Sequence, residues 1–114
     1  MKISKSSQFQ REFKKLQKKY RTLPSDLKIL EKLIQKFPLG DDSRHCNELR
    51  KIGALCICKR RMMCRAVKGS EFRVIYYYDG IQIELMYLEI YYKENKERED
   101  QQRIEKIWKE KTGE

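Results

Sequence analysis

The sequence has few of the residues that break or staple a chain. It holds 2 prolines and 5 glycines in 114 residues, so long flexible linkers and proline-rich arms are excluded. Its single histidine, His45, leaves little for a zinc site or a Ser–His–Asp constellation. The four cysteines, Cys46, Cys56, Cys58 and Cys64, contain no Cys-x-x-Cys pair. They read as small buried hydrophobes, not as metal ligands or disulfides. No apolar run approaches the roughly 18 residues of a membrane span. Met1-Lys2-Ile3-Ser4-Lys5 leads into a charged segment, so the expectation is a cytoplasmic protein without a secretory signal. Acidic residues are also scarce: 17 Asp+Glu face 27 Lys+Arg, for a net charge of +10.

What is present suits one small domain, 1–114. Hydrophobic residues make up 39%, enough for one modest core. The charge is divided along the chain. Residues 1–70 carry 19 Lys+Arg against 6 Asp+Glu, whereas 71–114 carry 8 against 11. A basic part of this kind points to a polyanionic partner, nucleic acid above all.

The periodicity predicts a helix over 7–21. Ser7 and Gln10 form a candidate capping box. Phe9, Phe13, Leu16 and Tyr20 make one face, and Lys14, Lys15, Lys18 and Lys19 spread over the rest. Leu23-Pro24-Ser25 interrupts, with Ser25 as N-cap, and a second helix runs to Phe37 before Pro38-Leu39-Gly40. The two make a helical hairpin, 7–37. Residues 40–53 read as a loop. Ala54–Cys58 and Met62–Val67 are strand-like, and Lys68-Gly69-Ser70 is a turn. Phe72–Tyr78 is a strand by its aromatic and β-branched content, and Asp79-Gly80 signals a tight hairpin into a long strand, Ile81–Tyr92. Met1–Lys5 could add a short edge strand. The expected class is α+β: the hairpin packs on a twisted antiparallel sheet, 54–92. A charged helix over 96–111 closes the chain, with Ile104, Ile107 and Trp108 as its apolar stripe.

The order FQREFKKLQKKY, a Pro-Ser break, Arg65-Ala66-Val67-Lys68-Gly69, FRVIYYYDG, IELMYLEIYYK and ENKERED resembles the RelE/ParE superfamily of toxin–antitoxin proteins. The resemblance spans essentially the whole chain and is most specific over Phe72–Asp100. It implies the same fold and a RelE-like toxin that cuts messenger RNA on the ribosome. A cognate antitoxin is the implied silencing partner, and no cofactor, metal or membrane is implied. It equally admits a ParE-like gyrase inhibitor or a non-catalytic module that binds RNA or an antitoxin.

Metal-free RNA cleavage uses the 2′-hydroxyl as nucleophile, a base, an acid for the leaving 5′-oxygen, and cations for the charged transition state. The resemblance places catalytic cations at Arg65, Lys68, Arg73 and Lys93, and Tyr92 (or Tyr91) could serve from the strand itself as the platform on which a base stacks. Arg73 could instead form a cross-sheet salt bridge to Glu84 or Glu89. Cys64 and Ala66 stand where the family carries lysines, and the segment after the last strand lacks the family's tyrosine. Glu89 or His45 could supply the base. Lys14, Lys15, Lys18, Lys19, Lys59, Arg60 and Arg61 are candidate RNA-phosphate contacts.

Overall fold

The structure is a computed structural model that describes residues 1–40, 46–69 and 71–113. It opens with a strand, β1 (Lys2–Lys5), which lies parallel to the last strand and hydrogen-bonds to it. Helix α1 (Ser7–Gln17) begins one residue earlier in its capping than the spacing predicts. Ser6, not Ser7, is the N-cap, and its hydroxyl accepts from the Phe9 N–H at 3.1 Å. Gln10 instead donates its side-chain amide to Lys5 O. Helix α2 (Leu23–Lys36) follows, with Thr22 at its N-cap and Pro24 in its first turn. Ser25 lies inside that turn, its hydroxyl donating to Thr22 O at 2.9 Å. Gly40 ends the segment at φ +91°. A β-carbon there would come within 3.0 Å of the Cys46 Cβ, so both conformation and space require glycine.

The sheet has five strands in the order β1-β5-β4-β3-β2. Strand β2 (Cys46–Ile52) lies within the stretch read as a loop. Its sequence, CNELRKI, is too polar to announce a strand, because it forms the sheet edge and leaves most side chains half-buried or exposed. Strand β3 (Leu55–Met62) runs straight through Lys59-Arg60-Arg61. The expected strand over Met62–Val67 is absent, and its residues turn away after Met62. Strand β4 (Phe72–Asp79) and strand β5 (Glu84–Tyr92) form the central pair. Their connection is longer than an Asp-Gly turn. The Asp79 carboxylate accepts from the N–H groups of Ile81 and Gln82, and Ile83 takes a positive φ of 54°, so β5 starts at Glu84. The sheet is therefore mixed, antiparallel apart from β1.

Helix α3 (Gln101–Thr112) is capped by the Asp100 carboxylate, which accepts from Arg103 N, and ends on Gly113 in the left-handed region. The sheet is covered on both faces. On one side α1, α2 and the link between them bury Phe9, Tyr20, Leu27, Leu30 and Ile34 against Cys56, Cys58, Phe72, Val74, Tyr76 and Tyr87. On the other, Ile104 and Trp108 of α3 pack on Ile57, Ile75, Tyr77, Leu88 and Tyr91. That double burial explains the near-continuous apolar run of β4.

Phe9 is fully buried and stacks on Tyr87, with ring centroids 5.0 Å apart. Phe9→Ala is expected to destabilise the protein by about 3–5 kcal/mol. Urea unfolding followed by circular dichroism measures it, and a loss under about 1 kcal/mol would mean that α1 is not fixed by this contact.

Candidate active site

One polar cleft, of about 210 Å³, opens on the α3 face of the sheet, beyond the end of the apolar cluster. Register builds it. Arg61, Arg73 and Tyr91 lie directly opposite one another on β3, β4 and β5, a single row across three strands. The next row places Asn47 opposite Lys59. Lys93, just past β5, and Glu97, in the segment leading to α3, complete the lining. The Lys93 N–H donates to Glu71 O at 2.8 Å, which ties the exit of β5 to the start of β4.

A β-bulge decides which tyrosine enters this site. The pairing of β4 with β5 slips between Ile75 and Tyr76, which face Glu89 and Tyr87. Leu88 and Glu89 therefore both turn to the α3 side, and the alternation beyond them is reversed. Tyr91 joins the cleft. Tyr92 goes to the helical-hairpin side, between Tyr20 and Phe72, with centroids 5.3 and 5.0 Å away. It is a packing residue there and cannot reach the cleft.

The electrostatics favour an anion. Arg73 is 8% exposed, and one of its N–H groups donates to Phe72 O at 3.1 Å. Burial, and then the facing Arg61 guanidinium, pull its pKa below the ordinary value. Guanidinium remains protonated in proteins even so, and the proximity of two such charges is relieved by an anion set between them. The Tyr91 hydroxyl is pushed up to about 12, first by burial and then by the carboxylates of Glu99 and Glu89, against the lowering pull of Arg73. At neutral pH it is a proton donor. Its ring is nearly all covered, and Lys96 Nζ sits 5.5 Å from its centroid. It therefore offers a hydroxyl to the cleft and no open face on which a nucleobase could stack.

Carboxylates hold this side together. Lys59 donates to Glu99 Oε1 at 3.2 Å, and Glu99 is buried. Glu89, fully buried, accepts from Lys96 and from the Asp100 N–H at 2.9 Å. That carboxylate is enclosed, already accepts two hydrogen bonds and does not line the cleft. His45, the other candidate base, lies outside the described residues.

Of the expected site residues, Arg73 and Lys93 meet in the cleft, and two residues assigned to phosphate contacts, Lys59 and Arg61, join them. Arg65 and Lys68 do not. The Arg65 guanidinium binds the buried Asp26 carboxylate at 3.2 Å and the Ser25 hydroxyl, which pins the turn after β3 to the start of α2. Lys68 is exposed in the same segment and does not line the cleft. Cys64 is buried in the helical-hairpin core, so this turn is anchored on the side of the sheet away from the cleft. Arg60 is 1% exposed and donates to Phe37 O at 2.8 Å, capping the end of α2, so it presents nothing to RNA. Lys14, Lys15, Lys18 and Lys19 are exposed on or just past α1, on the opposite side of the sheet from the cleft. Asn47 and Glu97 enter unannounced, one from an inconspicuous edge strand and the other from a run of charges. A larger, mostly apolar pocket of about 500 Å³ lies between the end of α2 and Cys56 and Tyr78, without converging acid and base groups.

No protein-family model matches the chain, and no curated protein sequence matches it. Among solved structures, the crystal structure of the archaeal RelE–RelB complex from Pyrococcus horikoshii OT3 contains a similar chain. The TM-score is 0.57 at 14% identity, covering 80% of this chain and 92% of that one. The fold is RelE-like. The two helices on one face of the sheet are the arrangement that the sequence resemblance implies.

The raised Tyr91 pKa has a consequence for stability. A tyrosine ionises near 10 in an unfolded chain and this one at about 12 in the fold. Its stabilising contribution is complete below about pH 10 and is lost as pH rises through about 12. Tyr76, Tyr77 and Tyr87 shift in the same direction. Urea midpoints are expected to fall over this alkaline window, less steeply in Tyr91→Phe. Equal slopes for the two proteins would show that Tyr91 is not held neutral by its surroundings.

Proposed function

We propose that this chain is a RelE-like toxin that cleaves messenger RNA on the ribosome and is silenced by a cognate antitoxin. The Arg61–Arg73–Tyr91 row carries the reading: two cations and a protonated hydroxyl on rigid neighbouring strands, in a cleft the size of a phosphate with part of its sugar. The scissile phosphate sits between Arg61 and Arg73. The 2′-hydroxyl oxygen forms a bond to phosphorus as the Glu97 carboxylate takes its proton. The bond from phosphorus to the 5′-oxygen breaks, and the Tyr91 hydroxyl, supported by Lys93, supplies that oxygen's proton. The products are a 2′,3′-cyclic phosphate and a free 5′-hydroxyl. Charge that accumulates on the non-bridging oxygens is met by the guanidiniums, where a preorganised donor contributes most.

The covered ring of Tyr91 supports dependence on the ribosome. Among the described residues the cleft has no open aromatic platform, so it has no grip of its own on a splayed base and the message must arrive already positioned. The antitoxin partner is supported by the RelE–RelB complex that contains the similar chain.

Primer extension on a defined message in a reconstituted translation system tests the proposal. Wild-type protein is expected to give cuts at A-site codons only with ribosomes present. Arg73→Ala and Arg61→Ala are expected to lower the rate by about 10²–10³-fold each. The absence of Arg65 and Lys68 from the cleft favours a second reading, a non-catalytic relative such as a ParE-like gyrase inhibitor. Intact message at protein levels that still arrest growth would reject the nuclease and favour that reading.

A further inference from the structure

Three of the four cysteines share one face of the sheet. Cys56 and Cys58 lie two apart on β3, with their sulfurs hydrogen-bonded at 3.7 Å. Cys46, on the neighbouring β2, bonds in turn to Cys58. All are free thiols. Cys58 is fully enclosed, whereas Cys56, otherwise buried, lines the mostly apolar pocket of about 500 Å³ at the end of α2. Phe37, Leu39, Ala54 and Tyr78 supply apolar walls there, and Lys36 and Lys51 supply the charge. Among the described residues no carboxylate lines the pocket. Lys51 stands directly opposite Cys56 on β2.

These surroundings separate the two thiols chemically. The hydrogen bond from Cys58 holds the Cys56 thiol below its ordinary pKa against the effect of burial, and Lys51 adds to that pull. The Cys58 thiol, despite its bond with Cys46, is pushed up to about 12 by its bond to Cys56 and by burial, so it keeps its proton. The better nucleophile thus faces a cavity, and a protonated thiol stands beside it.

We propose that Cys56 and Cys58 form a thiol pair that reduces a hydroperoxide whose apolar body is held in this pocket. The Cys56 thiolate attacks the terminal peroxide oxygen and the O–O bond breaks. The leaving oxygen takes a proton from solvent and departs as an alcohol, and Cys56 becomes a sulfenic acid. The Cys58 sulfur then attacks the Cys56 sulfur, and the hydroxyl leaves as water with the Cys58 proton. Residues two apart on a strand span about 6.6 Å between α-carbons, near the upper limit of about 6.8 Å for a disulfide. The bridge is therefore strained, and an external dithiol reduces it readily and restores the pair. The pair lies on the helical-hairpin side of the sheet and does not rest on the reading of the cleft.

The full-length reduced protein is treated with cumene hydroperoxide or hydrogen peroxide, quenched with an alkylating agent and digested with trypsin. Cys56 and Cys58 fall together in the peptide Ile52–Lys59, apart from Cys46 and Cys64. That peptide is expected to emerge unalkylated and lighter by two hydrogen atoms, and to recover with dithiothreitol. Cys64, buried but away from the pocket, is expected to react at least about tenfold more slowly. Relative to their rates with free cysteine, cumene hydroperoxide is expected to outpace hydrogen peroxide at Cys56 by about tenfold or more, a preference lost in urea. Lys51→Glu, an exposed change that keeps both thiols, is expected to slow the reaction about threefold or more. In Cys58→Ser the reaction is expected to stop at the sulfenic acid, trapped by dimedone. Equal rates at Cys56 and Cys64, or a bridge between this peptide and that of Cys46, would overturn the pair. Hydrogen peroxide reacting as well as cumene hydroperoxide on the same scale would overturn the apolar substrate.

Discussion

A buried carboxylate in a β-bulge organises one whole face of this molecule. Without the bulge, residues 87, 89 and 91 would share a side of β5 and Glu89 would point into the helical-hairpin core. The slip opposite Ile75 and Tyr76 turns Glu89 to the α3 side, where it is fully enclosed. A carboxylate there is tolerable only when it is paired and hydrogen-bonded, and Lys96 and the Asp100 N–H do both. Those contacts fix the segment after β5. The side chain of Asp100 then caps α3, and α3 carries Ile104 and Trp108 onto the sheet. The bulge also chooses Tyr91 over Tyr92 for the cleft.

The edge of β5 next to the bulge is closed by charge. Strand β1 ends opposite Tyr87, so the groups beyond it on β5 need other partners. Arg103 of α3 donates to Leu88 O at 2.9 Å and also binds Glu12 of α1, whose carboxylate accepts from the Ile90 N–H. One ion pair thus satisfies the strand edge and links helices on opposite faces. The same economy tempers the charge asymmetry of the sequence. Its acidic last third folds back on the basic part: Glu99 meets Lys59, and Glu105 meets Arg50. Among the described residues the cations are dispersed over both sides of the sheet. Some are neutralised, Arg60 is interior, and the lysines of α1 lie across the sheet from the cleft.

The hairpin of helices, the central strands and the terminal helix were legible because their apolar periodicity is long and reflects burial. Strand β2 was hidden for the opposite reason: an edge strand with one half-covered face has little hydrophobic pattern. Two residues of the cleft, Arg73 and Lys93, were legible in the sequence, because a strand's register and end place them there. The sequence failed at Tyr92 because a one-residue bulge reverses faces, and composition does not announce a bulge. It failed at Arg65 because a short turn can look like strand, and Asp26 waits on α2 for a guanidinium. Arg60 shows the limit most sharply. Its neighbours Lys59 and Arg61 face the cleft, and strand alternation alone sends it to the core.

The cleft divides its labour between rigid and less rigid backbone. Arg61, Arg73 and Tyr91 stand on three hydrogen-bonded strands packed on both faces, so their mutual geometry is set by the core. Lys93 and Glu97 belong to the segment between β5 and α3, whose position depends on a few polar contacts, those of Glu89 and Glu99 foremost. On the proposed reading, the guanidiniums and the Tyr91 acid are thereby tied to the most stable part of the fold, and Lys93 and the Glu97 base to a segment that a ligand can shift at small cost. On that reading, a partner that perturbs Lys59–Glu99 or displaces α3 would move Glu97 and Lys93 while the two guanidiniums and the Tyr91 hydroxyl stay in register. Control of the proposed chemistry then requires no rearrangement of the sheet, only a change in how the acidic segment after β5 is held.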